Sequence, residues 1–582
     1  MLLSMIYYIY NMCMYIRKSS STRNGKTYTT AQIVEGYRNE KGNNLQHILF
    51  NLGSVDKLLD KDIDNLINGL LRIKGQETPN VDDAILSARS FGHVWAMMMI
   101  WKELQISRTL RKAARKSKTE FDLVSHIKIM VMNRLDDPKS KLGLLTWLEE
   151  VYLPTIDRES ITYPHLLRAM DFLIEHKQVI EQEIANRFLT IFDSELSLCF
   201  YDITSSYFEG DTEFEGDIRK LGHSRDHRSD RRQVVIGVVM NNDGIPLAHY
   251  TFEGNTSDRS TVIDVVADIK KRFRVDRVIL VADKGMTSQM NYGWLEKSGV
   301  QFILGESKRI RSDVRKEIVA AETARLSRPE PEQETAFIYE TSGEVTSAVS
   351  DGKKTNVTSL SVRRIYSYNP ATARKQAFSR QKSLDELSDL SGKIKGSKRK
   401  PEEAYHLLRN YAKRHGLSRL ATIPADPTQE DVSLVEPKLR LEEQSDGWFV
   451  ISTNTKVVDG FSAEEVEKQY KRLQLVEHGF RTLKSSLDIR PMFHWTANRI
   501  KSHVFICFLA LQMTVFFELR LKPLKMTFEK AIYKLRQMHV IDWKSGHSKH
   551  KALTAATAEQ LEIFKNLEVP KPTTKSFVVS DF

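Results

Sequence analysis

Two carboxylates stand where apolar strands should exclude them. CFYDITSSYF carries Asp202 inside an alternating run of Tyr201, Ile203 and Tyr207, and RVILVADKG delivers Asp283 at the end of a second apolar run. An ionised carboxylate avoids such places unless something offsets its desolvation. A third acid, Glu477, lies in SAEEVEKQYKRLQLVEHGFRTLKSSL, where Val466, Leu473, Val476, Phe480, Leu483 and Leu487 recur mostly at three or four residues. That spacing predicts one amphipathic helix. Tyr470, Glu477 and Lys484 are seven apart, a drift of only about 20° per step, and Arg481, four after Glu477, shares their side. One face then carries a phenol, a carboxylate, a guanidinium and an ammonium: a metal ligand flanked by phosphate-binding groups.

The elements that must position these residues are legible around them. Strand candidates are LCFYDITSSYF, RQVVIGVVMN and IPLAHYTFEGN, the last two joined by the hairpin signal Asn242-Asp243-Gly244. TSDRSTVIDVVADIKKRF reads as a helix capped by Ser257 or Asp258, RVILVADKG as a strand, SQMNYGWLEKSG as a helix and VQFILGE as a strand. The order is β-β-β-α-β-α-β, opening with an antiparallel meander. Upstream, Asn24-Gly25 marks a hairpin in a Lys- and Arg-punctuated β region, and LQHILFNLG adds a third strand. From Ser54 to Phe192 the periodicity is helical. Downstream of Glu306, RPEPEQE and GKIKGSKRKPEE mark an insertion that mixes short strands with a helix near 402–415. DGWFVISTNT resumes strand character. HVFICFLALQMTVFFELRL is apolar enough to suggest a membrane span but, being isolated, is better read as a core helix. The segment beyond Ser545 reads as a polar, weakly structured tail.

Composition narrows the function. The 582-residue chain, 41% hydrophobic and 28% charged, has the makeup of a globular protein of several domains. Its net charge of +12 points to a polyanionic partner, with nucleic acid ahead of an acidic membrane surface. Cys13, Cys199 and Cys507 give neither a disulfide framework nor a zinc-finger spacing, which fits a reducing, cytoplasmic setting. The opening MLLSMIYYIYNMCMYI lacks a positive leading region and a cleavage site. Its first 13 residues read as an extension ahead of Met14, outside the fold.

A meander, a crossover helix and then a fourth strand is the order of the ribonuclease H fold, which sets the fourth strand parallel beside the first. Asp202 and Asp283 would then face each other and raise each other's pKa unless cations sat between them. Mg²⁺ answers that need, because it takes one or two protein carboxylates and leaves positions for phosphate oxygens. CFYDITSSYF, VADKG and YKRLQLVEHGFRTLK, in that order, resemble the three acidic motifs of the DDE transposases of cut-and-paste insertion sequences, in the branch with a Tyr-Arg-Glu-Lys signature. GHSRDHRSDRRQV, GNTSD and LDIRPMFHW are similar to that family's connecting motifs, and the resemblance runs from Met14 to Leu521. The signature arginine, four before the glutamate, is Leu473 here, with Arg472 beside it but rotated by about 100°.

The resemblance implies an α/β protein with a ribonuclease H-like core of mixed sheet and flanking helices, interrupted by a β-rich insertion. It implies a small β-sheet at 14–53, a helical DNA-binding region at 54–192, the first part of the core at 193–306, the insertion at 307–445, the second part with the glutamate helix at 446–545, and a tail at 546–582. Asp202, Asp283 and Glu477 would hold two Mg²⁺ ions, for which Mn²⁺ substitutes. Tyr470, Arg481 and Lys484 would contact double-stranded DNA, of element ends and of target, in a homo-oligomer without a membrane role.

Plainer readings suit several other residues. Asp258 is read as a helix cap, His223 and His227 as a DNA contact or structural hydrogen bonds rather than zinc ligands, and Trp495 as packed rather than base-stacking. A metal-dependent nuclease of the same fold, or a transposase-derived DNA-binding protein without catalysis, are the alternatives; the second has no need of the three acids.

Overall fold

The computed structural model describes residues 13–575 except 24, 40–42, 59, 76–83, 116, 118, 195, 211–213, 227, 274–277, 309–311, 351–354 and 546–547. The chain divides into two compact units, 1–87 with 541–552, and 88–540 with 553–582. In the first, the strands Cys13–Arg23, Lys26–Arg38 and Asn44–Ser54 form an antiparallel sheet, followed by a helix over Asp60–Ile73. Arg23 pairs with Lys26 across a two-residue turn in which Gly25 takes φ 77°, a value that favours glycine. Of the 13 residues read as an extension only Cys13 is described, and it already pairs with Gly36.

The second unit is built on an eight-stranded mixed sheet. Its strands, numbered in chain order, are β1 Leu198–Tyr207, β2 Gln233–Met240, β3 Pro246–Glu253, β4 Ile279–Ala282, β5 Gln301–Glu306, β6 Phe337–Ser350, β7 Thr355–Tyr368 and β8 Trp448–Thr453. They lie in the order β6-β7-β8-β5-β4-β1-β2-β3. The meander β1-β2-β3 is antiparallel, whereas β4 runs parallel to both β1 and β5. Gly237 on β2 makes room for the ring of Tyr201, whose hydroxyl donates to Thr261 Oγ1 at 2.8 Å.

Both faces of the sheet are covered, as its nearly continuous apolar strands require. One face packs on the helix Asp258–Phe273 through Val262, Val265, Val266 and Ile269. The other packs on helices of the region before β1 and on the helix Ala497–Leu521. That helix is the only one among the described residues long and apolar enough to cross a membrane; 83% of its apolar window is buried, so it serves as a core helix.

The insertion holds the expected helix, Pro401–Arg414, and one short strand pair, Ala421–Thr422 with Ser433–Leu434, but its long strands and further helices were not expected. The paired 14-residue strands β6 and β7 extend the main sheet through β8, and further helices run over Ser312–Leu326, Pro370–Ile394 and Glu436–Gln444. Leu384, Leu387, Ile394, Ala404 and Leu408 give Pro370–Ile394 and Pro401–Arg414 an apolar cluster of their own. The tail is structured too. Ser548–Leu553 is a strand, and Ala558–Asn566 is a helix whose capping box pairs Thr557 with Gln560. Ile563, Phe564 and Leu567 are buried in the main core.

A buried charge network fastens the helix Lys177–Ile191 to β3 and to Asp258–Phe273. Glu181, fully buried, accepts from Lys177 Nζ at 2.9 Å, His249 Nδ1 at 2.7 Å and Arg272 Nη1 at 2.6 Å. Burial works against its charge, but Lys177, His249 and Arg272 overcome it and hold the carboxyl well below the usual range. Removing one partner of such a set leaves buried charge uncompensated. Glu181→Gln should therefore lower the free energy of unfolding by about 3–5 kcal/mol in a denaturant titration. A loss below about 1 kcal/mol would show that the network carries little.

Candidate active site

Register places the first two acids. The parallel pair β1–β4 ends with Tyr201 opposite Ala282, so Asp202 and Asp283 are the next residues on neighbouring backbones. Side chains alternate along a strand. Asp202 therefore shares the face of Phe200, and Asp283 that of Val281, toward the cluster that also contains Val476, Phe480 and Leu483.

Glu477 reaches the same place from a helix, though not from the single helix expected. The segment breaks into α1, Ala463–Lys471, and α2, Gln474–Ser485. At the break the N–H groups of Arg472 and Leu473 donate to the carbonyls of Gln469 and Tyr470, three residues back, at 3.1 Å each. This tighter 3₁₀ turn re-aims α2 relative to α1. Leu473 is buried at 8% exposure, while Arg472 turns toward Gln469 and lines neither cavity at the acids. The signature arginine position thus supplies no cation here.

Asp202, Asp283 and Glu477 line one cavity of about 370 Å³ together with Arg225, Asp258, Arg481 and Lys484. A second cavity, of about 300 Å³, opens against the same three acids and is lined by Phe449, Tyr470, Lys471 and Leu473. Tyr470 Oη donates to Asp283 Oδ1 at 3.1 Å. A Cβ on Gly305, which follows Leu304 opposite Ala282, would collide with that hydroxyl, so glycine at the end of β5 makes room for the phenol. Burial, reinforced by Asp283, Asp202 and Glu477, pushes the Tyr470 phenol up and keeps it a proton donor.

Asp202 is the electrostatically exposed member of the set. Burial raises its pKa to about 7; the Ile203 N–H and Arg225 oppose the shift, and the charges of Asp283 and Glu477 add to it. Among the described residues neither Asp202 nor Glu477 has an ion-pair partner. Arg225, which lines the same cavity, is held by Asp258 at 2.6 Å. Three oxygen-donor side chains short of positive charge fit a hard divalent cation in donor type and in charge. They are not gathered into a cage: among the described residues no three carboxylates, imidazoles or thiols stand ready to grip one ion.

The other sequence candidates fall as follows. Lys484 lines the cavity but pairs with Asp226 at 2.9 Å, and Arg481 lines it from an exposed position. Asp258, read as a cap, directs its carboxylate into the site and onto Arg225, and a Cβ on Gly285 would crowd it. His223 is exposed, and His227 lies outside the described residues. Trp495, expected to be packed, is 48% exposed and lies over the buried Arg219 guanidinium at 4.8 Å. Sequence reasoning missed Arg225, Asp226 and Arg490, although their motifs GHSRDHR and LDIRPMF were already in view.

The family model described as Transposase DDE domain matches residues 194–513, more than half the chain. A second, described as IS1634 family transposase, N-terminal domain, matches residues 16–82. No curated protein matches the chain.

The Asp202 shift fixes a pH dependence. Its folded pKa of about 7 lies above the unfolded value near 3.9. Its contribution to stability is therefore complete below the unfolded value and is lost as pH rises through 7. With divalent ions chelated, Asp202→Asn should melt close to the parent at pH 4 and above it at pH 8. A gap that is constant across the melting series would contradict this electrostatic account.

Proposed function

This chain belongs to the DDE-domain transposases, and on that premise we propose that it cuts DNA at the ends of an insertion sequence and joins those ends to a target. One observation carries the reading. Two strand-end acids and a helix glutamate, 194 residues beyond the second acid, line the same two cavities, and neither Asp202 nor Glu477 has an ion-pair partner among the described residues. The strand order supports a ribonuclease H-like core, and Tyr470, Glu477 and Lys484 support the Tyr-Arg-Glu-Lys branch.

Asp202, Asp283 and Glu477 are the residues that would hold Mg²⁺, as two ions. When bound, such ions supply Lewis-acid activation of an attacking hydroxyl and stabilise the leaving oxygen of an in-line displacement. The chain's part is positioning. Tyr470 orients the Asp283 carboxylate, and the two sheet acids hold fixed places because their backbones are in register. Arg481 and Lys484 present cations to the phosphates flanking the scissile bond. No covalent protein–DNA intermediate is needed. The unit around residues 16–82 is assigned to the element's terminal repeats, in a homo-oligomer that pairs two ends in the cytoplasm, without a membrane.

Binding should separate from chemistry. DNA affinity comes largely from Lys and Arg contacts to phosphate, so Glu477→Gln should keep its affinity for end DNA. Its Mg²⁺-dependent cleavage should fall by roughly 10²–10³-fold or more. A binding titration on end DNA beside an end-cleavage and strand-transfer assay checks both: undiminished cutting by Glu477→Gln removes the glutamate from the site, and cutting without joining by the parent makes the protein a nuclease.

A further inference from the structure

Two cations at the edge of the site converge on one carboxylate. Lys484 Nζ, from α2, lies 2.9 Å from Asp226 Oδ1, and Arg490 Nη1, from the loop after α2, lies 2.6 Å from Asp226 Oδ2. Asp226 itself sits in the loop between β1 and β2. All three side chains are partly buried, the carboxylate most of all at 12% exposure. The Arg490 guanidinium also rests over the Tyr207 ring at 4.9 Å, which holds it from a second side.

The fit of the carboxylate to this pair is uneven. Lys484 donates a proper hydrogen bond to Asp226 Oδ1, whereas Oδ2 and Arg490 Nη1 are buried, close and yet without a directed hydrogen bond. A guanidinium gains most from two oxygens placed to match its fork, the arrangement a phosphate provides. The Lys484 head lines the cavity that holds the three acids. Two cations against one acid leave the cluster with positive charge still to satisfy.

We propose that Lys484 and Arg490 form one binding site for a DNA-backbone phosphodiester, which Asp226 occupies in the DNA-free protein. Its two carboxylate oxygens stand in for the two non-bridging phosphate oxygens. Binding exchanges one anion for another, with no covalent change, as the loop carrying Asp226 yields to the strand. The proposal rests on the transposase reading only in taking DNA as the ligand.

The test is affinity for a labelled duplex oligonucleotide of arbitrary sequence, measured by anisotropy across a salt series, because phosphate contacts are sequence-independent. Asp226→Asn keeps the side chain's shape but removes its competing charge, so it should bind more tightly, while its log–log salt slope stays close to the parent's because both contact the same phosphate. Arg490→Gln should flatten the slope by about 0.9, one phosphate's worth on duplex DNA. Melting temperatures confirm that each variant is folded, and if Asp226→Asn is not, the Arg490→Gln slope decides. Unchanged or weaker binding by folded Asp226→Asn overturns the proposal, as does an Arg490→Gln slope equal to the parent's. A parent protein that binds and cuts DNA while these variants do neither of the expected things defeats this site alone. A parent that binds no duplex defeats the transposase reading with it.

Discussion

The controlling constraint is electrostatic crowding at the end of two parallel strands. Neighbouring strands lie about 4.8 Å apart, and two unit charges about 5 Å apart repel by roughly 3 kcal/mol at an effective dielectric of 20. Asp202 and Asp283 follow the paired residues Leu198–Tyr201 and Ile279–Ala282 on backbones that lie that far apart. Apolar strands cannot relieve the repulsion, and register holds the two backbones that carry the acids side by side. Burial first, and then the charges of Asp283 and Glu477, make Asp202 hold its proton toward neutral pH. The third acid increases the strain. A protein that accumulates negative charge on rigid elements in this way is arranged for positive charge brought from outside.

The sequence showed this constraint because the acids interrupt otherwise apolar alternation, an anomaly visible within ten residues. The meander was equally plain, since Asn242-Asp243-Gly244 forces a turn and Gly244 takes φ 79°. Other elements were hidden for physical reasons. The first half of β7 is exposed almost throughout, so Thr, Asn and Ser fill most of it and no apolar alternation marks a strand. In RKQAFSRQKSLDELSDL the core contacts Leu384 and Leu387 are outnumbered by polar residues of a solvated helix. The helix Ala558–Asn566 was readable: Thr557 and Gln560 are a capping box ahead of Leu561, Ile563 and Phe564. Its low overall hydropathy obscured that signal.

The cations around the site were the least legible part. Asp226 meets Lys484 across 258 residues of sequence, and Arg225 meets Asp258 only because the β1–β2 loop folds over the start of the following helix. A motif such as GHSRDHR displays the charges but not their partners. A basic protein must nonetheless hold its cations apart or pair them before DNA arrives, because unpaired like charges clustered on one surface repel. The acids that pair them here, Asp226 and Asp258, are distinct from the three that crowd the cavity. Two sets of carboxylates with opposite tasks therefore share one small region. One set restrains positive charge, and the other calls for it.

Tyr470 shows how those tasks stay separate. A lysine or arginine donating to Asp283 would neutralise it and leave less charge for a metal ion to meet. A phenol donates a hydrogen bond and leaves the charge in place. Burial beside three carboxylates disfavours its ionised form, so it remains a donor under the conditions in which the acids are charged. The hydroxyl reaches Asp283 only because Gly305 offers no Cβ and because α1 ends before the turn that redirects α2. A glycine in a strand forfeits packing and conformational stability, and a break in a helix interrupts its regular hydrogen bonding. Both losses fall at the point where a neutral donor meets the second acid. They are explained if the site must orient its carboxylates without satisfying them.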